Sequence, residues 1–333
     1  MAPRAPRVTW SDGFGRTARK LRLSVTDRCD LRCVYCMPER PVWLPRAEVL
    51  SFEELVRLAG VAAANGVRQV RVTGGEPLLR KDLPKLVGML KALKGLEEVT
   101  LTTNGTRLAQ LAGPLKEAGL DRVTVSLDSL DPATYKAMAR TGDVSETLAG
   151  MDAAETAGLG PLKVNCVVMR GVNDGQVGDL AAWARRTGRN LRFIEFMPLE
   201  GDKIWSKSLL VPASEIAAAV AARFPCIERS AEPGATALRY DYADGGGSFG
   251  IVASVTRAFC ESCDRIRVTA DGTFRTCLFA EHGTDLRGPL RSGASDADLA
   301  ALMSGAVAQK GPGHLIGLPG FHRPDRAMNA IGG

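Results

Sequence analysis

The chain carries CDLRCVYC at positions 29–36, directly after the apolar stretch LRLSV at positions 21–25. The apolar stretch predicts a β-strand, and the cysteines that follow it have the spacing Cys-x3-Cys-x2-Cys. Ordinary electron-carrier clusters use four cysteine ligands, so three on one compact loop leave one iron of an iron–sulfur cube open to a ligand that is not protein. We therefore predict a cluster on Cys29, Cys33 and Cys36.

These three cysteines also allow two simpler interpretations, which are buried structural thiols and a disulfide pair. Free cysteine is among the most buried residue types, but three of the eight cysteines of the chain lie within eight residues, which favours ligation. A disulfide needs an oxidising compartment, and nothing in the sequence indicates one. Cys166 and Cys226 have no cysteine nearby in the sequence, and we interpret both as packing residues.

The composition is typical of a soluble globular protein, with 45% apolar and 24% charged residues in a chain of 333. No run approaches the roughly 18 to 20 apolar residues of a membrane span, and residues 1–15 lack the apolar core of a signal peptide. We therefore expect a cytoplasmic protein. The net charge of +6 favours small anionic partners, and without an arginine-rich tail the sequence does not favour nucleic acid.

Strand-like and helix-like segments alternate from residue 21 to about residue 200, which predicts the parallel sheet of an α/β fold. The predicted strands are residues 21–26, 69–73, 99–103, 122–127, 162–169 and 192–196. Because a complete TIM barrel has eight strands, six predict an incomplete (β/α)6-type TIM barrel. The predicted parts of the chain are a flexible N-terminus (1–15), the partial barrel (16–200) and a smaller C-terminal α+β module (201–333).

Polar groups are predicted at the carboxyl ends of these strands, where parallel barrels carry their chemistry. The second predicted strand ends in TGGEP at positions 73–77, where two glycines permit close backbone approach and Glu76 supplies a carboxylate. The third and fourth strands hold Thr102 and Ser126, whose hydroxyls can bind a ligand, although each alone is more typical of a turn.

Four basic residues lie within or next to the predicted strands, namely Arg22, Arg71, Lys163 and Arg192. A basic strand residue usually points to solvent, but the strands of a parallel sheet are covered on both faces. If the four side chains converge in one cavity, they would bind a polyphosphate through charge-assisted hydrogen bonds.

The C-terminal module contains four further candidate metal ligands, Cys260, Cys263, Cys277 and His282. A Cys3His zinc site fits these residues, and so does a second iron–sulfur cube with an open iron. On a strand, Arg265 and Arg267 would face the same way. The terminal Gly332-Gly333 either frays or forms a tail that is narrow enough to enter a cavity.

The loop at 29–36 resembles the cluster loop of the radical S-adenosylmethionine (SAM) superfamily, whose motif is Cys-x3-Cys-x-aromatic-Cys. Gly-Gly-Glu-Pro at 74–77 resembles the stretch that holds the methionyl ammonium of SAM in that superfamily. Both cysteine sets, residues 21–29 and the terminal Gly-Gly together resemble a narrower group, the MoaA family of GTP 3′,8-cyclases of molybdenum-cofactor (molybdopterin) biosynthesis. The resemblance covers nearly the whole chain from about Asp12.

This resemblance implies a lyase with two [4Fe–4S] clusters, with SAM on the first and the guanine base of GTP on the second. The implied ligands are Cys29, Cys33 and Cys36 for the first cluster and Cys260, Cys263 and Cys277 for the second. The 5′-deoxyadenosyl radical would abstract the ribose 3′ hydrogen, and C3′ would attack guanine C8 to give (8S)-3′,8-cyclo-7,8-dihydro-GTP. His282 is no ligand in this scheme.

The resemblance also implies roles for other residues. Those implied to bind SAM are Tyr35, Gly74, Gly75, Glu76, Ser126 and Met197. Those implied to bind GTP are Arg22, Arg71, Thr102, Lys163, Arg192, Arg265 and Arg267. Those implied to act in catalysis are Arg265, Arg267, Gly332 and Gly333, the last two as a tail inserted into the active site.

The implied partners are GTP, an external electron donor of the flavodoxin or ferredoxin type, and the cyclic pyranopterin monophosphate synthase (MoaC) that receives the product. A homodimer is compatible with this function, and neither a membrane nor a nucleic acid is expected. Two alternatives are a peptide-modifying radical SAM enzyme with an auxiliary cluster and a non-catalytic iron–sulfur or zinc binding module. The first does not account for the basic strand residues, and the second does not account for the Gly-Gly-Glu-Pro turn or the barrel.

Overall fold

The structure of the protein, a computed structural model, describes residues 9–230, 234–316, 320–324 and 326–332. In this part of the chain the strands are β1 (Lys20–Ser24), β2 (Gln69–Thr73), β3 (Glu98–Thr103), β4 (Arg122–Ser126), β5 (Lys163–Val168), β6 (Asn190–Glu195), β7 (Cys226–Arg229), β8 (Leu238–Tyr242), β9 (Ser248–Val252), β10 (Arg265–Val268), β11 (Thr273–Arg275) and β12 (Thr284–Asp285). The α-helices are α1 (Phe52–Ala64), α2 (Leu83–Lys91), α3 (Leu108–Glu117), α4 (Pro132–Ala139), α5 (Val144–Thr156), α6 (Val177–Thr187), α7 (Ala213–Ala221), α8 (Arg287–Arg291), α9 (Asp296–Ala308) and α10 (Met328–Ile331). The six predicted strands are confirmed as β1 to β6, with ends that differ by at most two residues.

The strands of the described residues form one sheet in the order β12-β11-β10-β1-β2-β3-β4-β5-β6-β9-β8-β7. Strands β1 to β6 are parallel neighbours, β10 pairs in parallel with β1, and β9 pairs in parallel with β6. Eight parallel strands therefore form the barrel wall, and no pairing of β9 with β10 closes it within the described ranges. The predicted incomplete barrel is confirmed, and its two outermost parallel strands come from beyond residue 200.

The C-terminal segment is attached to both edges of the six-stranded core. Strands β11 and β12 continue antiparallel from β10, and β8 and β7 continue antiparallel from β9. The predicted boundary at residue 200 follows β6, so it separates the core strands from those that flank them, and this division remains a prediction. Of the stretch predicted to be flexible, residues 1–8 lie outside the described residues, whereas Trp10 is only 2% exposed.

The two faces of the barrel strands differ because successive side chains of a strand point to opposite sides. In β5, Val164, Cys166 and Val168 are fully buried in the apolar core, whereas Lys163 and Asn165 line the interior of the barrel. This alternation gives the barrel a polar interior without interrupting the apolar layer of the core. None of the described helices combines the length and the apolar character that a membrane crossing requires.

Candidate active site

A cavity of about 560 Å³ lies inside the barrel, and both cysteine sets line it. Cys29 follows the carboxyl end of β1, and Cys263 lies two residues before the amino end of β10. Because β1 and β10 are parallel neighbours, the two sets lie at opposite ends of this strand pair. We name them the N-terminal triad (Cys29, Cys33 and Cys36) and the C-terminal triad (Cys260, Cys263 and Cys277).

The N-terminal triad lies in a buried and acidic environment. Burial raises the pKa of all three thiols. The nearby carboxylates add to this effect, with Asp128 acting on Cys33, and Glu76 and Asp30 acting on Cys29. Such thiols become thiolate ligands when a metal displaces their protons. Three soft sulfur donors that face one cavity fit an iron–sulfur cluster.

The ring of Tyr35 is held beside this triad by a buried carboxylate. The Tyr35 hydroxyl donates to Asp128 Oδ2 at 2.6 Å, and the backbone N–H of Val167 donates to Asp128 Oδ1 at 2.8 Å. Burial raises the pKa of Asp128 to about 6, although both hydrogen bonds favour its ionised form. Ser126 and Met197, two other residues implied to bind SAM, line the same cavity as Tyr35.

The turn after β2 packs directly against the backbone of the cysteine loop. A Cβ atom at Gly75 would lie 2.4 Å from the carbonyl oxygens of Asp27 and Arg28. A Cβ atom at Gly74 would lie 2.5 Å from the carbonyl oxygen of Thr26. Both positions require glycine because any side chain would push the two loops apart.

Glu76, which is 1% exposed, ties the ends of β2 and β3 together. Its carboxylate accepts hydrogen bonds from Thr103 Oγ1 at 2.7 Å, Asn104 N at 2.7 Å and Leu78 N at 2.9 Å. Burial raises the pKa of Glu76 to about 7 although these bonds oppose the shift. A carboxylate offers about four acceptor positions, so one remains for a cationic ligand in the cavity.

The four basic strand residues converge as predicted, since the cavity is lined by Arg22, Arg71, Lys163 and Arg192. Arg71 Nη1 donates to Thr102 Oγ1 at 3.1 Å and to Thr124 Oγ1 at 3.0 Å, which fixes the guanidinium. Burial and the neighbouring cations lower the pKa of Arg71 to about 10 and that of Lys163 to about 8. Such shifts mean that the local carboxylates do not neutralise these cations, so the arrangement favours a polyanion.

Two further basic residues, Arg122 and Lys20, line the cavity and were not assigned a role from the sequence. Arg122 forms an ion pair with Glu98, which also accepts a hydrogen bond from Gln69. Lys20 pairs with Asp264 at 2.9 Å. Both basic residues occupy the first position of a barrel strand, so the pattern that identified the other four also applies to them.

The C-terminal triad has cations where the N-terminal triad has carboxylates. Arg265 Nη2 and Lys310 Nζ each donate to Cys263 Sγ at 3.6 Å. Burial raises the pKa of this thiol, but the two cations more than offset the effect and lower it to about 7. Arg267 is 4% exposed and lines the cavity. This end of the cavity therefore favours anions.

Of the two histidines relevant to this triad, the structure brings one into the cavity. His282 is exposed and is not part of the cavity lining. His314 does line the cavity, its ring lies 4.9 Å from that of Phe279, and its backbone hydrogen-bonds to Cys260. The described residues contain no group of three or more Cys, His, Asp or Glu side chains that could hold a single metal ion. Sequence reasoning missed His314 because no spacing rule connects it with the cysteines.

Ser254 also lines the cavity without a signal in the sequence. The residue is 2% exposed, and its Oγ has no hydrogen-bond partner among the described residues. The turn that carries it is held by Glu195, which accepts from Val255 N at 2.7 Å and from Thr256 N at 2.9 Å. The Ser254 hydroxyl is therefore held in place and available to a ligand.

The C-terminal tail lies inside the protein next to the N-terminal triad. The backbone N–H of Met328 donates to Cys36 O at 3.1 Å, and Arg267 Nη1 donates to Gly332 O at 2.9 Å. Gly332 has a φ of +80°, and a Cβ atom there would lie 2.9 Å from Cβ of Ser24. The tail thus links the lining of the cavity to β1, whereas Gly333 lies outside the described residues.

Comparisons with known proteins relate this site to a family. The model of the Radical SAM superfamily matches residues 23–184, and that of Molybdenum Cofactor Synthesis C matches residues 189–316. A GTP 3′,8-cyclase of Acidothermus cellulolyticus is 48% identical over 305 residues, which are 90% of this chain and 84% of that protein. A GTP 3′,8-cyclase of Streptomyces coelicolor is 47% identical over 326 residues, which are 97% of this chain and 96% of that protein.

A solved structure supports the fold independently. Streptococcus suis SuiB bound to S-adenosylmethionine has a TM-score of 0.59 against this chain at 14% identity. The likeness covers 93% of this chain and 77% of that one, so the sheet that continues beyond residue 200 belongs to a known architecture.

Proposed function

Because this chain belongs to the GTP 3′,8-cyclase family of the radical SAM superfamily, we propose that it is a lyase that converts GTP to (8S)-3′,8-cyclo-7,8-dihydro-GTP. This reaction would be the first step of molybdenum-cofactor biosynthesis. The observation that carries the proposal is one cavity lined by both cysteine triads and by the basic strand residues between them. A peptide substrate without acidic side chains would leave that cluster of cations without a counter-charge.

The N-terminal triad would hold a [4Fe–4S] cluster whose open iron takes the amino and carboxylate groups of SAM. When bound, cluster and SAM supply the carbon radical that starts the reaction at the ribose C3′. The chain contributes a fixed surface around them, in which Tyr35, Ser126 and Met197 line the cavity and Gly74 and Gly75 allow the turn to approach the loop. The remaining acceptor position of Glu76 suits the methionyl ammonium.

The C-terminal triad would hold a second [4Fe–4S] cluster that presents its open iron to the guanine base. Three sulfur donors that line the cavity fit such a cluster, and the cations at Cys263 would stabilise the thiolate form of this ligand. His282 has no part in this proposal because it is exposed and is not part of the cavity lining.

The basic strand residues would hold the triphosphate. Arg71 is oriented by Thr102, so its guanidinium need not be immobilised when the ligand binds. Lys163 and Arg192 lie on β5 and β6, and Arg22, Arg265 and Arg267 lie on β1 and β10, so the clamp spans the barrel. Several rigid anchors would keep the ribose C3′ in a near-attack position.

The chain must also protect the reacting centre from solvent and from side reactions. Arg267 would contribute to this protection, because it lines the cavity and also holds the tail in place by donating to Gly332 O. The tail would act in catalysis by insertion into the active site, where Arg267 holds its described end, Gly332. The same role is proposed for Gly333, which lies outside the described residues. We further propose an external electron donor of the flavodoxin or ferredoxin type, transfer of the product to MoaC, and a homodimer as the assembly to be tested.

The proposal is tested with anaerobically reconstituted protein, SAM, a reductant and GTP deuterated at C3′. We expect deuterium in the 5′-deoxyadenosine that is formed, together with the cyclised nucleotide. The matched variant is Arg71→Gln, which should weaken GTP binding but leave the slow cleavage of SAM without substrate unchanged. Formation of 5′-deoxyadenosine that contains no deuterium and does not depend on GTP would exclude the cyclase.

A further inference from the structure

Lys310 is a buried lysine outside the cavity lining that contacts a sulfur of the C-terminal triad. The residue lies two positions after the end of α9 and is only 7% exposed. Lys310 Nζ donates to Cys263 Sγ at 3.6 Å, to Cys263 O at 2.8 Å and to Arg265 O at 3.1 Å. An ammonium has three donors, and all three are therefore engaged at the position where the cysteine loop enters β10.

The segment that carries Lys310 is held in place by a separate group. Arg16 Nη1 donates to Cys260 O and Pro312 O, each at 2.9 Å, and Nη2 donates to Gly311 O at 2.5 Å. Arg16 is itself held by Asp12, whose Oδ2 lies 2.6 Å from Arg16 Nε. Among the described residues, neither Arg16 nor Asp12 hydrogen-bonds to a sulfur, so the structural anchor of the segment and the contact with the thiol are separate.

Close packing around the triad keeps Lys310 where it is. A Cβ atom at Gly313 would lie 2.9 Å from Cys260 Sγ, so the segment after Lys310 passes directly over the thiol. The guanidinium of Arg265, the other cation at Cys263 Sγ, lies 4.8 Å from the ring of Phe259 and lines the cavity. Arg265 therefore faces the ligand side of the triad, whereas Lys310 contacts it from within the protein.

We propose that Lys310 is a positioning residue that sets the reduction potential of the second cluster, an inference that rests on the proposed function. A reduced cluster carries one more negative charge than an oxidised one. Hydrogen bonds and positive charge at a ligand sulfur stabilise the reduced form, so they raise the potential. Cys29 Sγ of the N-terminal triad instead accepts from a neutral amide, Asn104 Nδ2, at 3.9 Å. The cation at Cys263 Sγ thus distinguishes the surroundings of the second cluster from those of the first.

The inference is tested by redox titration of the reconstituted protein with electron paramagnetic resonance detection of both clusters. In Lys310→Met we expect a lower potential for the second cluster and an unchanged potential for the first, which serves as an internal reference. Lys310→Arg keeps the charge and the N–H donors, so the potential of its second cluster should stay close to the wild-type value. Iron and sulfide content is measured in each sample.

The control for a purely structural effect is Arg16→Lys, which loosens the same segment but leaves the Lys310–Cys263 contact. An unchanged potential in Lys310→Met, an equal fall in Arg16→Lys, or a shift of both clusters together would overturn the inference. If Lys310→Met does not retain the second cluster, Lys310→Gln replaces it with the same expected direction, and no shift there is equally decisive. A wild-type protein that assembles the N-terminal cluster but none at the C-terminal triad would also overturn it. If the wild-type protein does not turn over GTP although both potentials are as expected, the proposed function is contradicted instead.

Discussion

Carboxylates surround the N-terminal triad, whereas cations surround the C-terminal triad, although both consist of three half-buried cysteines in one cavity. At Cys33, burial and then the charge of Asp128 raise the pKa of the thiol well above its usual range. At Cys263 the nearest influences are Arg265 and Lys310, and the pKa of the thiol is lowered.

This difference corresponds to the charges of the two proposed ligands. SAM is a net cation, because its sulfonium and ammonium outweigh its carboxylate, and acidic surroundings stabilise it. GTP is a polyanion through its triphosphate, which the basic residues of the cavity stabilise. Opposite fields at the two ends of one cavity would also disfavour exchange of the two ligands, because each would meet like charges at the wrong end. The cysteines alone do not encode this asymmetry, since it depends on their neighbours.

The largest expected effect separates the two triads by their function. Cys33→Ala should lower the iron content from about eight to about four per chain and abolish SAM cleavage. Cys263→Ala should lower the iron content equally but leave SAM cleavage measurable, while cyclised product is lost. The measurements are iron and sulfide content and the yields of 5′-deoxyadenosine and product. Equal loss of SAM cleavage in both variants would contradict the division of roles.

The next prediction concerns the turn that packs on the N-terminal loop. Gly75→Ala would place Cβ 2.4 Å from two carbonyl oxygens, so we expect destabilisation of about 1–3 kcal/mol and at least tenfold weaker SAM binding. Gly113→Ala in α3 is the matched control, because beyond its chain neighbours and its own helix backbone no described atom lies within 4 Å of the added Cβ, and alanine favours helices. Denaturant unfolding and SAM titration measure both variants, and equal stability of the two would contradict the packing argument.

A pH dependence is expected at the basic end of the cavity. The pKa of Lys163 is lowered to about 8 in the free protein because of burial and nearby cations, and bound phosphate should raise it again. Binding of GTP then takes up a proton above pH 8, so the affinity should fall by about tenfold per pH unit there. Calorimetry in buffers of different ionisation enthalpy measures this uptake.

Lys163→Arg is the control for this prediction, since an arginine stays protonated across the range while the titration of GTP itself is the same in both proteins. The difference in affinity between the two proteins should therefore grow from pH 8 to pH 9. Parallel affinity curves would mean that Lys163 does not contact the phosphates.

The smallest expected effects test the electrostatic difference between the acidic and the basic end of the cavity directly. Asp128→Asn removes one negative charge near the N-terminal triad and should weaken SAM binding by about two- to fivefold, with GTP affinity unchanged. Arg192→Gln removes one positive charge from the clamp and should have the opposite selectivity. Titrations of each variant with each ligand give four values, and a variant that weakens both ligands equally would refute the electrostatic comparison.

Most of the barrel could be predicted from the sequence because its strands combine an apolar period with local turn signals. Lys163 and Arg192 could be assigned to a cavity since parallel strands are covered on both faces. The pairing of β9 and β10 with the two edges could not be predicted, because it joins segments that are distant in the sequence and too short to show a period. The alternation within β5 illustrates the first case, and the four-residue β10 illustrates the second.

The environment of the C-terminal triad shows more clearly what could not be predicted from the sequence. The spacing of its cysteines predicted candidate ligands but left zinc and a cluster equally open. Lys310, His314 and Ser254 reach the site from loops that carry no motif, and their contacts exist only after the chain has folded. His282 was the nearer histidine in the sequence, yet it is exposed, because proximity along a loop does not fix the direction of a side chain.

The parallel pairing of β1 with β10 has a consequence for the synthesis of the protein. Lys20 pairs with Arg265, about 245 residues later in the chain. At roughly 5–20 residues per second, the ribosome needs roughly 12–50 s to deliver the partner of β1 after β1 has emerged. During this interval one edge of the nascent sheet is unpaired, a condition that invites aggregation. The N-terminal cysteines are therefore translated long before the C-terminal cysteines, so the two triads become available for ligation at different times.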